Sequence, residues 1–341
     1  MTNANRAGGA GGWKWRLPAL LALMVPLAGV TAPAAQAGPA IEKCVVIDND
    51  FDIDDMMAIA AVIGNRHVAA IVNTEGVSTA QSGASAVSRL IAEPSERAIP
   101  VIIGADSHRS EADIRKNWPW LLYFRASMGR VNDLLTAALP PSRRPLRDFV
   151  AELSRATADC RRIDLLITGP YTSFIRYSAA LAPKLDHVVI SGKPIGDPTL
   201  KPGQYLFNCG YDLPACRIAM KQLRGTKANW VNVSEAANPP YAPSLGMVQG
   251  LRADGLPGAL KAALMANQHT WDPPKVPVSA GGPGGQTFMW DQTAAMYLLH
   301  PERFAPVGAH YGPRQSGPNA LSPAGLHRLW TRDVNAARRY Q

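Results

Sequence analysis

Short, continuous runs of apolar residues alternate along the chain with longer segments in which apolar residues recur at helical spacing. Continuous apolar runs of this length are typical of strands that are buried on both faces of a sheet. They predict strands at residues 44–48, 67–74, 99–104, 163–168, 187–191 and 229–233. The helical spacing predicts helices at residues 54–64, 79–91, 146–158, 171–181, 212–223, 256–269, 291–299 and from 323 onward.

The alternation of strands and helices defines the expected fold. It predicts an α/β protein with a single open, mostly parallel twisted sheet, Rossmann-like, with helices on both faces. Residues 106–147 interrupt the pattern and suggest an insertion or a lid, and residues 239–285 are rich in Pro and Gly and suggest long loops. Ligands of such folds bind beyond the carboxyl ends of the strands, so the residues just after each strand are the candidates for function.

The first 37 residues have the pattern of a targeting segment. Three basic residues precede an apolar run at residues 17–30, and an Ala-x-Ala site follows at residues 35–37. This order is typical of a secretory signal peptide, and the run is shorter than the roughly 20 residues that a membrane-spanning helix needs. We therefore expect residues 1–37 to be removed as a signal peptide, leaving one domain at residues 38–341 that is periplasmic or secreted and has no stable membrane anchor.

The composition favours an ordered, globular protein. Hydrophobic residues make up 47% of the chain and charged residues 18%, which argues against disorder. The formal net charge of +9 would suit an anionic partner. Because the basic residues are scattered without a long run, we expect no binding to nucleic acid.

Cysteine and histidine residues add little further chemistry. The four cysteines are Cys44, Cys160, Cys209 and Cys216. Export permits disulfides between them, and three pairings are possible. Cys44 opens an apolar strand and is expected to act as a small buried hydrophobic residue. His269, His300 and His310 show no partner in the sequence and are expected at the surface or in loops.

Residues 48–55 (DNDFDIDD) place five carboxylates in eight positions directly after the first predicted strand. So many acids repel one another unless a cation or protons neutralise them, and hard oxygen ligands suit Ca²⁺ or Mg²⁺. An EF-hand loop is excluded, because its glycine and glutamate positions hold Ile53 and Ile59. Two alternatives remain. One is a Mg²⁺-dependent phosphatase, although Phe51-Asp52 fits the motif of such enzymes poorly. The other is a solvated acidic cap at the start of a helix.

Further segments accompany this acidic pattern along the chain. Asp48, Asp50, Asp54 and Asp55 form D-x-D-x-x-x-D-D, followed by residues 168–173 (TGPYTS), by Phe207-Asn208 with Asp212, and by residues 290–302. In this order the four segments resemble motifs of the nucleoside hydrolases of the inosine–uridine-preferring type, over about residues 43–307. The resemblance implies the α/β fold of that family and hydrolysis of the N-glycosidic bond of nucleosides.

The resemblance implies one bound Ca²⁺. Its ligands would be the carboxylates of Asp50, Asp55 and Asp291, joined by the main-chain carbonyl of Thr168. Asp48 would support these ligands without binding the metal itself. Carboxylates and a carbonyl, completed by a water molecule and two sugar hydroxyls, reach the roughly six to eight oxygens that Ca²⁺ prefers.

The resemblance also implies catalytic roles and an assembly. Asp50 would take a proton from the metal-held water, which then attacks the anomeric carbon through an oxocarbenium-like transition state. Asp54 and Asn208 would bind the ribose hydroxyls of a nucleoside-like substrate. Members of the family are commonly homo-oligomers, so we expect a dimer or a tetramer.

Four substitutions depart from the family pattern. The Asn that touches the sugar falls on Val77, and the Glu that holds the 5′ end of ribose falls on Leu206. The late His falls on Trp290. This tryptophan either provides a stacking surface for a base or packs in the core or at an interface. The glycine of the first motif falls on Asp52. Because the sugar and leaving-group contacts are altered, a catalytically weak, calcium-dependent sugar- or nucleoside-binding protein of the same fold is the alternative to an N-ribosyl hydrolase.

Overall fold

One eight-stranded sheet organises the part of the chain that the structure describes. The structure, a computed structural model, describes residues 40–91, 99–107, 109–138, 147–233, 241–271 and 288–337, the side chains of 132–138 and 269–270 excepted. The predicted signal peptide lies outside these residues. Residues Gly38–Gln341 form one compact unit.

The strands follow one another across the sheet in the order expected of a doubly wound fold. They are β1 (Ile41–Asn49), β2 (Val68–Asn73), β3 (Val101–Ile103), β4 (Cys160–Ile167), β5 (Leu185–Ser191), β6 (Ala228–Val231), β7 (Phe304–Val307) and β8 (His310–Pro313). Their order is β3-β2-β1-β4-β5-β6-β8-β7. All neighbouring pairs are parallel except β7 and β8, which form an antiparallel pair at one edge. The prediction of an open, mostly parallel sheet is confirmed.

Helices cover both faces of this sheet. They are α1 (Ile53–Ile63), α2 (Ala80–Leu90), α3 (Glu111–Asn117), α4 (Pro119–Ala138), α5 (Phe149–Ala156), α6 (Phe174–Leu181), α7 (Phe207–Tyr211), α8 (Leu213–Gln222), α9 (Leu245–Gln249), α10 (Gly255–Ala266), α11 (Gln268–Trp271), α12 (Trp290–Leu299) and α13 (Pro323–Asn335). Within the described ranges, no helix has the length and apolar character needed to cross a membrane.

Alternate residues of β1 face two separate hydrophobic cores, because successive side chains of a strand point to opposite faces. Val45 and Ile47 belong to the core that contains α1, α12 and α13. Cys44 and Val46 belong to the core that contains α6 and α8. Burial on both sides explains why the central strands are apolar at nearly every position.

Several elements lie where the sequence pattern indicated none. Residues 106–147 contain α3 and α4, and β7 and β8 form a hairpin at the sheet edge. The hairpin strands are short and contain Pro and Gly, which weakens the strand signal. β4 begins at Cys160, whereas the sequence predicted a start at residue 163. The predicted start was late because the exposed Arg161 and Arg162 interrupt the apolar run.

The described cysteines form two disulfides. Cys44–Cys160 joins β1 to β4, and Cys209–Cys216 joins α7 to α8. Cys44 is buried as expected, but its interpretation as a simple hydrophobic residue is wrong, because it is covalently paired. Two disulfides are compatible with an oxidising compartment outside the cytosol.

Two histidines are paired with buried carboxylates. His310 is 1% exposed, and its Nδ1 lies 2.8 Å from Asp197 Oδ2, so the expectation of a surface position is wrong for this residue. His300 is partly buried, with its Nε2 2.6 Å from Asp333 Oδ2. The side chain of His269 lies outside those that the structure describes.

Candidate active site

The chain turns sharply where β1 ends and the acidic segment begins. Among the described residues, Phe51 is the non-glycine residue with a positive φ, at 53°, a conformation that is costly for a bulky side chain. Its amide donates to Asn49 Oδ1 at 3.1 Å, and its carbonyl accepts from the Ser78 hydroxyl at 2.8 Å. These bonds and the complete burial of the ring hold the turn. Such strain is commonly retained at functional sites.

Helix α1 begins directly after this turn with a capping box. The Ile53 amide donates to Asp52 Oδ1 at 2.7 Å, and the Asp52 amide donates to Asp55 Oδ2 at 2.8 Å. Asp52, which replaces the glycine of the family motif, is therefore the N-cap of α1. Burial raises the pKa of Asp52 to about 7. The cap fixes the first turn of α1 and with it the direction of Asp54 and Asp55.

Three buried carboxylates meet at this end of the sheet. Oxygen atoms of Asp54, Asp55 and Asp291 all lie within 4.8 Å of one another. Asp291 comes from the first turn of α12, far along the chain, and its carboxylate is hydrogen-bonded to Ser191 at the end of β5. Two of the predicted metal ligands, Asp55 and Asp291, are thus brought together with Asp54, the residue predicted to bind ribose.

Asp50 adjoins the same cluster. Burial and the neighbouring charge of Asp55 raise the pKa of Asp50 well above its usual range. Burial, together with the charges of neighbouring carboxylates, also raises the pKa values of Asp54 and Asp291 well above theirs. A bound cation would reverse these shifts, because opposite charge favours the ionised form. A donor set of carboxylate oxygens fits a hard cation such as Ca²⁺ or Mg²⁺.

Asp48 lies beneath this cluster at the end of β1. The Tyr177 hydroxyl donates to its Oδ2 at 2.7 Å, and the Thr74 hydroxyl donates to its Oδ1. Burial raises the pKa of Asp48 to about 7, against the opposing effect of these two hydrogen bonds. Neither donor was found from the sequence, since Tyr177 is separated from Asp48 by 129 positions.

Thr168 and Asn208 join the cluster from β4 and α7. The Thr168 hydroxyl donates to Asp55 Oδ1 at 2.6 Å. The Thr168 carbonyl, predicted to bind the metal, accepts the Asn208 side-chain amide at 2.6 Å. A carbonyl oxygen has a second lone pair, so this bond leaves room for another partner. The structure thus places Asn208, the predicted ribose ligand, directly beside the predicted metal ligands.

The backbone after β2 contacts Asp50 at the position where the family has the Asn that touches the sugar. The Val77 amide donates to Asp50 Oδ2 at 2.8 Å. A Cβ atom on Gly76 would lie 2.0 Å from the same oxygen, so only glycine fits there. Gly169, after β4, is similarly close to the backbone of Asp50. The glycines that follow these strands are a sequence signal for a crowded site that the sequence analysis did not use.

Aromatic residues gather beside α7. The rings of Trp118, Trp120, Phe207 and Tyr211 lie with centroid distances of 5.1 to 6.3 Å. Trp290, at the start of α12, is partly buried, and its ring centroid lies 5.1 Å from that of Phe288. Leu206, which replaces the family Glu, is the partly buried N-cap of α7. Phe207 and Tyr211 belong to α7 itself, whereas Trp118 and Trp120 come from residues 106–147, which showed no regular pattern.

The fold and the cluster together define a class of protein: an α/β fold whose buried carboxylates, at the carboxyl ends of parallel strands, can hold a metal ion. The sequence profile described as inosine–uridine preferring nucleoside hydrolase matches residues 45–334. The chain belongs to this family, which supports hydrolysis of N-glycosidic bonds as its general chemistry. No curated protein sequence gives a significant match.

Several solved structures are similar to this one. An inosine–uridine preferring nucleoside hydrolase from Bacillus anthracis is 12% identical, with a TM-score of 0.57, covering 87% of this chain and 100% of its own. A purine-preferring ribonucleoside hydrolase from Gardnerella vaginalis is 15% identical, with a TM-score of 0.59, covering 87% and 99%. The type III effector protein XopQ, complexed with adenosine diphosphate ribose, is 15% identical, with a TM-score of 0.58, covering 88% and 94%. At these identities the likeness establishes the fold alone.

Proposed function

We propose that the protein is an exported, calcium-dependent hydrolase that cleaves the N-glycosidic bond of ribonucleosides or related N-ribosyl compounds. The observation that carries this proposal is the buried cluster of Asp54, Asp55 and Asp291 in a chain of the nucleoside hydrolase family. The XopQ complex with adenosine diphosphate ribose supports the wider class of N-ribosyl compounds. The family resemblance also favours a homodimer or homotetramer, which light scattering would check.

Asp50, Asp55 and Asp291 would hold the Ca²⁺, together with the carbonyl of Thr168. Asp54 is a further candidate ligand, because its oxygen lies within 4.8 Å of those of Asp55 and Asp291. When bound, Ca²⁺ would neutralise the carboxylates and lower the pKa of a water molecule.

Asp50 is suited to accept a proton from the attacking water. Its Oδ2 is held by the Val77 amide, so its second oxygen has a defined direction. Asp54 and Asn208 would orient the ribose hydroxyls beside it, and orientation of this kind supplies a large part of catalysis. Trp290 would offer its ring to the base, while Asp48 would support the cluster through its hydroxyl donors.

The direct test is a panel of purine and pyrimidine ribonucleosides, assayed with the purified protein and Ca²⁺ for free base and reducing sugar. Release of both products in equal amounts is expected. Leu206 and Trp290, in place of the family Glu and His, favour the alternative of a binding protein. Saturable nucleoside binding without release of base would support that alternative and reject the hydrolase.

Removing the metal is expected to lower stability. A ligand present at 100 times its Kd and bound only by the folded state contributes about 2.7 kcal/mol. For a protein of this size, EDTA should therefore lower the Tm by about 4 °C. Asp55→Ala should abolish calcium binding in calorimetry and remove the effect of EDTA on the Tm.

Asp254→Ala is the matched control for this experiment. The Asp254 side chain is 48% exposed and lies outside the cluster. The control should bind Ca²⁺ and respond to EDTA as the wild type does. Unchanged calcium binding in Asp55→Ala would show that the cluster is not the metal site.

Export predicts a defined new N-terminus. Cleavage after Ala37 should leave a protein that begins at Gly38, as N-terminal sequencing of secreted or periplasmic material would show. Signal peptidase requires a small residue before the cut, so Ala37→Arg should stay uncleaved. An uncut chain that remains in the cytoplasm would contradict this proposal.

A further inference from the structure

Arg125, in the first half of α4, reaches from the segment between β3 and α5 to the backbone beside Asp50. Its side chain is 20% exposed. Its Nε donates to the Val77 carbonyl at 3.0 Å, and its Nη2 donates to the Gly76 carbonyl at 2.8 Å. The planar guanidinium suits such a contact, because its donors have fixed directions. One side chain thus holds two successive carbonyls of the loop after β2.

The same guanidinium also joins this loop to α7. Its Nη2 lies 3.2 Å from Glu75 Oε1 and 3.0 Å from the Tyr211 hydroxyl. The Tyr211 hydroxyl donates in turn to Glu75 Oε1 at 2.9 Å. Tyr211 therefore accepts one hydrogen bond from Arg125 and gives one to Glu75. We call Arg125, Glu75 and Tyr211 the Arg125 clamp.

Glu75 is the anionic centre of the Arg125 clamp. It is 3% exposed, and its Oε2 accepts the Ser107 amide at 2.7 Å and the Ser107 hydroxyl at 2.6 Å. Burial opposes ionisation of this carboxyl, but hydrogen bonding with Asp106, Ser107 and Tyr211 outweighs it and lowers the pKa of Glu75 to about 2. The clamp thus contains a largely buried, hydrogen-bonded ion pair, which is costly to break from one side only.

The Arg125 clamp connects the two halves of the candidate site. On one side, the Val77 amide holds Asp50 Oδ2 at 2.8 Å. On the other side, Tyr211 shares the five-residue helix α7 with Asn208, whose amide donates to the Thr168 carbonyl. A shift of Arg125 would therefore displace both residues.

We propose that Arg125 is a positioning residue that fixes Asp50 and Asn208 relative to each other, through the carbonyls of Gly76 and Val77 and through Tyr211. The consequence for catalysis rests on the function proposed above, in which Asp50 takes the proton and Asn208 binds ribose. Displacement of a reacting group by about 1 Å can cost about 10²-fold in rate. A clamp that spans both halves would set the orientation of the water relative to the sugar.

The test compares three variants by hydrogen exchange with mass spectrometry. In Arg125→Met, exchange should become about tenfold faster in residues 74–78 and in residues 207–211 together, because loss of a charge-assisted hydrogen bond promotes local opening. In Tyr211→Phe, exchange should rise in residues 207–211 but much less in 74–78, because Arg125 still holds the two carbonyls. Arg115→Met is the control, since Arg115 pairs with Glu111 at the surface and is 66% exposed.

Kinetics on the same proteins separate positioning from general loss of structure. Arg125→Met should lower kcat about 10–100-fold through Asp50 and also raise KM. Tyr211→Phe should chiefly raise KM, because its effect reaches the site through Asn208. Arg115→Met should change neither constant.

Exchange that is unchanged in both segments of Arg125→Met, or that rises equally in the distant strand β5, would overturn the proposal. If Arg125→Met does not fold, Tyr211→Phe provides the test, because this variant keeps the aromatic ring. Unchanged exchange in residues 207–211 of Tyr211→Phe would then overturn the proposal. If the wild-type protein hydrolyses no nucleoside, the proposed function fails. The exchange experiment still decides on the clamp, because it needs no substrate.

Discussion

Asp50→Asn is expected to lower kcat for nucleoside hydrolysis by about 10²–10⁴-fold, the usual contribution of a general base. An amide cannot accept the proton of the attacking water, yet its oxygen can still serve as a metal ligand. Calcium binding should therefore remain measurable, although weaker. Steady-state kinetics would give the loss in kcat, and calorimetry on the same preparations would show the retained metal.

Asp254→Asn provides the control, because this carboxylate is exposed and lies away from the cluster. It should leave kcat, KM and calcium affinity unchanged. Full activity of Asp50→Asn would transfer the role of base to another carboxylate of the cluster. Loss of both activity and calcium in Asp50→Asn would instead show that Asp50 acts chiefly as a metal ligand.

The central sheet was predictable because its strands are buried on both faces. Val45 and Ile47 face one core while Cys44 and Val46 face the other, so the run is apolar throughout and stands out in the sequence. Helix α7 could not be found in this way. It has five residues, and it is held by a disulfide and by side chains distant in sequence.

Most of the acidic cluster was predictable because its residues are close together in the sequence. Asp50, Asp54 and Asp55 lie within residues 50–55, so they are necessarily near one another in the fold. Asp291 could be added only through the family motif, because nothing local connects α12 with α1. The structure places its oxygen within 4.8 Å of those of Asp54 and Asp55.

The residues that hold the acidic cluster in place were not predictable. Val77 contributes a backbone amide, which any residue but proline could supply, so the side chain carries no signal. Arg125 lies in a segment without regular pattern, and its contacts with Gly76 and Tyr211 depend on the packing of α4. Tertiary contacts of this kind leave no periodicity in a single sequence.

Replacing both Cys44 and Cys160 with Ala is expected to lower the free energy of unfolding by about 5 kcal/mol. The disulfide between them closes a loop with a sequence separation of 116, which restricts the unfolded chain strongly. Replacing Cys209 and Cys216 should cost only about 2.5 kcal/mol, because their separation is 7. Urea unfolding of both double variants and of the wild type, in EDTA so that metal binding does not contribute, would measure the difference.

The comparison between the two double variants isolates the effect of loop length. Cys44 and Cys160 are 0% and 3% exposed, and Cys209 and Cys216 are 4% and 1% exposed, so each replacement removes sulfur atoms from a similarly buried place. The cavity that remains should therefore cost a similar amount in the two variants. Many domains are stable by only about 5–15 kcal/mol, so the Cys44 and Cys160 variant should be studied at low temperature, where it is still folded. Equal losses in the two variants would mean that packing around the sulfur atoms, and not restriction of the unfolded chain, accounts for the stability that these disulfides provide.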